Sequence, residues 1–86
     1  MKAGKQLKAM SEKIEQIFQE NEIKNVYAAA RLGVHENTIA DYRHGVHYPS
    51  VLFIRWLCME YKVSPYWLLD IGEEDGRKRP NRIYIL

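Results

Sequence analysis

The chain contains one cysteine, Cys58, which excludes an intramolecular disulfide framework. It also lacks any run of about 18 apolar residues and any basic-then-apolar leader. We therefore expect neither a membrane span nor a signal peptide, and a cytosolic setting. Internal repeats, low-complexity tracts and βαβ or hairpin patterns are missing from the body of the chain. The three histidines, His35, His44 and His47, lack the paired cysteines or helical i,i+4 spacing of zinc sites, so no metal is expected. Net charge is scarce as well, at a formal +2 over 86 residues. Such a balance suits a nucleic-acid binder only if its basic groups gather on one side. The length leaves room for one domain with a modest core and none for a separate catalytic or ligand-binding domain. No cofactor or small-molecule ligand is expected. Glu36 and Asp41 resemble a carboxylate pair, but a short exposed helix offers them no apolar pocket to shift a pKa. Enzymatic activity is therefore not expected.

What is present reads as helix. Hydrophobic residues make up 47% and charged residues 28%, ordinary values for a globular chain. Leu7, Met10, Ile14, Ile17 and Phe18 recur at spacings of three and four, which predicts a first helix over about 5–21. Asn25 reads as the N-cap of a second helix carrying Ala28, Ala29 and Ala30, whose small side chains admit a close neighbour. Gly33 ends that helix through a left-handed residue. Helical character resumes over 36–44 and stops at Gly45. Tyr48-Pro49-Ser50 leads to an N-cap at Ser50 and an apolar helix over about 51–61. Ser64-Pro65 opens a short last helix to about Ile71, with serine as cap and proline at the first helical position. Residues 72–76 read as an acidic linker. Arg77-Lys78-Arg79 then reads either as a solubilising segment or as an arm for a DNA backbone. Cys58 falls at a core position, where an inert buried thiol is expected.

Two short helices joined by a glycine-containing turn, with a small residue at their crossing, form a helix-turn-helix. Ala29 permits the crossing, Gly33 makes the turn, and Ile39 anchors the second helix. The stretch 25–69 resembles the lambda-repressor-like Cro family of phage and bacterial regulators. The matching marks are Ala28-Ala29, Leu32-Gly33-Val34, Thr38-Ile39, Tyr42, Gly45, Pro49-Ser50 and Val63-Ser64-Pro65 followed by Trp67-Leu68-Leu69. The resemblance implies an all-α, five-helix DNA-binding domain over 1–72, followed by a charged linker and apolar tail over 73–86.

It further implies base contacts from His35, Glu36, Asn37, Ala40 and Asp41, with the 36–44 helix in the major groove. Asn37 suits adenine through a bidentate pair, Glu36 or Asp41 could accept from cytosine, and Ala40 could meet a thymine methyl. Phosphate contacts would come from Lys24, Asn25, Arg43, His44, His47 and Tyr48. His35 stands where the family carries a Ser or Thr cap, so the helix is expected to lose that cap. Two acids and no arginine on this face depart from the commoner pattern. A second departure is Leu52 and Trp56, with Phe53 and Met59 nearby, where the family shows charge. A helix apolar nearly all round needs a second partner surface. The tail Ile83-Tyr84-Ile85-Leu86 could provide it by folding back, or by pairing with a second chain as a short strand. Leu52, Trp56, Met59, Ile83, Tyr84 and Ile85 are thus the expected dimer or partner interface.

The resulting expectation is a sequence-specific transcriptional regulator in the bacterial cytoplasm, a repressor that binds a palindromic operator in double-stranded DNA as a homodimer. The rival is a protein-interaction module, antitoxin-like, that keeps the fold and binds a partner protein. Weak basicity and the apolar face of Leu52 and Trp56 favour that rival.

Overall fold

The computed structural model describes residues 3–71, which form five α-helices and no strand. They are α1 (Ala3–Asn21), α2 (Asn25–Leu32), α3 (Glu36–His44), α4 (Val51–Tyr61) and α5 (Pro65–Leu69). The chain divides into two compact units, Met1–Pro49 and Ser50–Leu86. The tail with its expected strand, and the expected boundary at residue 73, lie outside the described residues. Among the described residues, no helix is long and apolar enough to cross a membrane.

In the first unit, α1 turns Ser11, Ile14, Ile17 and Phe18 inward, while Leu7 and Met10 are half-buried. That inward stripe follows the 3.6-residue period, which places i, i+3, i+4 and i+7 on one face. The opposite side is wet and carries pairs one turn apart, such as Lys8–Glu12 at 2.9 Å. No glycine closes α1. Glu22 takes the left-handed conformation instead, at φ 54°, and the Ile23 N–H donates back to the Phe18 carbonyl. Helix α3 packs against both α1 and α2. Ile39 and Tyr42 are its buried residues, and Ala28 and Ala29 are those of α2.

Gly45 shows why a glycine must follow α3. Its φ is 75°, and a Cβ there would lie 2.9 Å from the Ser11 Oγ of α1. The residue is held by conformation and by clearance together. Gly33 has the same conformation, at φ 71°, with open space around it.

The second unit begins where Ser50 Oγ accepts from the Phe53 N–H, and Ser64 Oγ accepts likewise from Trp67, with Pro65 at the head of α5. Both caps follow the expected serine logic. Phe53, Leu57, Cys58, Val63 and Leu68 are buried, and burial pushes the Cys58 thiol pKa up. Helices α4 and α5 end on left-handed Lys62 and Asp70 rather than on glycine. The last helix therefore stops at Leu69, two residues short of the expected Ile71.

Candidate nucleic-acid interface

The turn between α2 and α3 is built as the residues require. The Gly33 and Val34 N–H groups both donate to the Ala29 carbonyl, closing α2, and the chain then runs extended through His35 into α3. The expectation for His35 is corrected here. Its Nδ1 accepts from the Asn37 N–H at 3.0 Å, so the imidazole does the capping that Ser or Thr would do. Asn25 is corrected too. Lys24 occupies the N-cap position of α2 with no side-chain cap, and Asn25 is the first helical residue.

On α3 the Ile39–Tyr42 stripe faces inward. Asn37 and His44 are exposed and Ala40 and Asp41 half-buried on the opposite side, with exposed Glu36 at the leading edge. The five residues expected to meet bases thus lie together along the outward side of α3 and at its start. Lys24, His47 and Tyr48 are exposed, and His47 Nε2 lies 3.8 Å from Asp41 Oδ2. A shallow cleft of about 310 Å³, lined by Phe18, Gln19, Glu22, Ile23, Lys24 and Arg43, opens beside the start of α2.

Arg43 does something the sequence reading missed. Its Nε and Nη2 donate to the two oxygens of Glu15 at 2.7 and 2.9 Å, and its Nη1 donates to Asn25 Oδ1 at 2.8 Å. The guanidinium also lies over the Phe18 ring, 4.7 Å from its centroid. One side chain thereby ties α3 to α1 and to the first turn of α2, using the fork that fits a carboxylate in two places. The Arg43 hydrogen bonds hold the Glu15 carboxyl down at about 2 against an ordinary 4.5. Partial burial opposes this, and Gln19 and the charges of Arg43 and His44 assist. Arg43 and Asn25 were both expected as phosphate contacts; the Arg43 guanidinium is engaged inside the unit, and the Asn25 Oδ1 is one of its acceptors. A signal for this was present, since Arg43 follows Ile39 by four residues and so lies over the inward side of α3.

The expected interface residues of α4 separate. Leu52 and Met59 are exposed, as is Val51, which the sequence reading did not include. Trp56 is half-buried, its ring 6.0 Å from Phe53 and 5.6 Å from Tyr61 in an edge-on contact. It belongs to an aromatic cluster within its own unit rather than to the outer face. Ile83, Tyr84 and Ile85 lie outside the described residues.

Charge is balanced within residues 3–71, which hold eight Lys and Arg against eight Asp and Glu. The formal +2 therefore resides at Lys2 and in residues 72–86. Among the described residues no group of three or more His, Cys, Asp or Glu is placed to hold a metal ion. Compared with known proteins, the chain matches no family model, no curated protein and no solved structure.

Proposed function

We propose that this chain is a sequence-specific DNA-binding regulator of the lambda-repressor-like Cro type. It presents α3 to the major groove and acts as a homodimeric repressor on a two-fold operator in the bacterial cytoplasm. The observation that carries the reading is the α2–Gly33–α3 unit itself. Its second helix is anchored by Ile39 and Tyr42 and offers Glu36, Asn37, Ala40 and Asp41 on its outward side. A major groove about 12 Å wide admits such a helix, and these side-chain types can pair with base edges. On this reading Arg43 orients α3, while Lys24, His44, His47 and Tyr48 meet phosphates and fix the register. The protein is a binding module and not an enzyme.

Selection of bound duplexes from a random pool tests this directly. A recurrent two-fold site, bound less selectively by Asn37→Ala, is the expected result. Failure to enrich any duplex in low salt, where phosphate contacts are strongest, would refute it.

A second reading has its own support. Residues 3–71 carry no formal net charge, and Val51, Leu52 and Met59 are exposed on α4. Those features suit a module that binds a partner protein in the manner of an antitoxin. A Leu52→Lys, Met59→Lys variant that loses a partner complex, in a protein that never retains DNA, would favour it.

A further inference from the structure

In the second unit, Ser50–Leu86, one side of α4 carries exposed apolar side chains. Leu52 and Met59 are 68% and 57% exposed. They stand about two helical turns apart, on the same side of the helix and about 10 Å from one another along its axis. Exposed Arg55 lies between them, and the Trp56 cluster forms the edge. The strip is thus apolar at both ends and cationic in the middle.

A second copy of α4 is a poor occupant. In any two-fold pairing centred on this strip, Arg55 would oppose its own equivalent, and like charges in contact penalise an interface. A stable interface also takes about 20–30 residues from each partner, whereas the exposed large apolar residues of α4 are Val51, Leu52 and Met59. A segment of the same chain needs far less area, because its effective concentration at the strip is already about millimolar.

One segment of suitable chemistry follows α5. Ile83-Tyr84-Ile85-Leu86, outside the described residues, carries no charged side chain and spans about 10 Å when extended. That length matches the Leu52–Met59 separation. Tyr84 also offers a ring face on which an arginine stacks, as a second Arg55 would not. Residues 72–82 join this segment to Ile71 and can bridge up to about 35 Å. Helix α4 is only about 16 Å long, so either end of the strip is within reach.

We propose that residues 83–86 dock on the Leu52–Met59 strip of their own chain and cover it. On the protein-binding reading above, a partner must then displace the tail, which acts as a built-in competitor for that surface. Docking itself is independent of DNA binding, and a homodimer on a two-fold operator would use another surface.

Two measurements on the full chain test the docking. In Ile83→Asp with Ile85→Asp, Met59 should be oxidised by hydrogen peroxide several times faster than in wild type, read by mass spectrometry of the sulfoxide. Half-buried Met10 of α1 should keep its rate, and helical circular dichroism should not change. Equal Met59 rates would overturn the proposal. The second measurement locates the tail. In a Cys58→Ala background, Ile83→Cys or Ile85→Cys is paired with Leu52→Cys or Met59→Cys, or with Tyr66→Cys as reference, and equilibrated with glutathione. An undocked tail favours Tyr66, which closes the shorter loop, by roughly twofold. Docking should instead favour Leu52 or Met59 by about tenfold, within single chains and at any protein concentration. A preference for Tyr66 would overturn the proposal. So would disulfide-linked dimers that grow with concentration, which would assign the strip to a second copy. None of these results bears on duplex selection, so failure of docking and failure of DNA binding are read separately.

Discussion

Replacing Glu15 by glutamine keeps the size of the side chain but removes its negative charge and one of the two acceptor oxygens that Arg43 uses. The carboxyl lies at about 2 instead of 4.5, which taken at face value corresponds to roughly 3 kcal/mol at about 1.4 kcal/mol per unit. The Glu15 side chain is 36% exposed and that of Arg43 18%, so solvent screening reduces the expected contribution to about 1–2 kcal/mol. For a domain of this size that is a loss of about 5–15 °C in Tm. The pH dependence separates charge from packing. A carboxyl with a depressed folded-state pKa contributes fully above about 4.5, and its contribution fades as pH falls through about 2. Urea unfolding followed by helical circular dichroism should therefore show Glu15→Gln less stable than wild type at pH 7. The two should converge between pH 4.5 and pH 2. A gap that stays constant with pH would mean that the clamp acts through shape and neutral hydrogen bonding, and would refute the electrostatic account.

Three further outcomes follow from the local geometry. Gly45→Ala should cost about 2–3 kcal/mol, because it adds a clash with Ser11 to left-handed strain. Gly33→Ala should cost only about 1 kcal/mol, since it meets open space at the same φ, and equal losses in thermal melts would contradict the close approach of α1. Lys62→Gly should raise stability by about 0.5–1 kcal/mol by relieving a side chain at φ 56°; a lower Tm would count against strain there. His35→Ala should lose about 1 kcal/mol with the cap on α3, and His35→Asn should recover it. Equal stability of all three forms would show that the Nδ1 hydrogen bond contributes nothing.

Local signals account for what could be read early. Gly33, Gly45, Ser50 and Ser64-Pro65 act on backbone within four residues of themselves, so helix order and most boundaries follow from them. The Ile39–Tyr42 stripe likewise assigns the outward side of α3 from spacing alone. The ends at Glu22, Lys62 and Asp70 were less legible, because left-handed conformations at charged residues carry no composition mark. The cap from His35 escaped the pattern because imidazole can accept through Nδ1 but is not among the usual capping types.

The sequence by itself determined that this chain is helical, where α3, α4 and α5 start, and which side chains of α3 point outward. Tertiary structure decided what the polar residues on those helices do. Arg43 looks from sequence like a cation for a phosphate. Its partner Glu15 lies 28 residues away, and the pairing exists only once α3 has packed on α1. Asn25 moved from cap to acceptor for the same reason, and Trp56 moved from the outer face into contact with Phe53 and Tyr61. A hydrogen-bonding capacity is written in a residue's identity. Its occupant is chosen by chain segments that sequence proximity does not reveal.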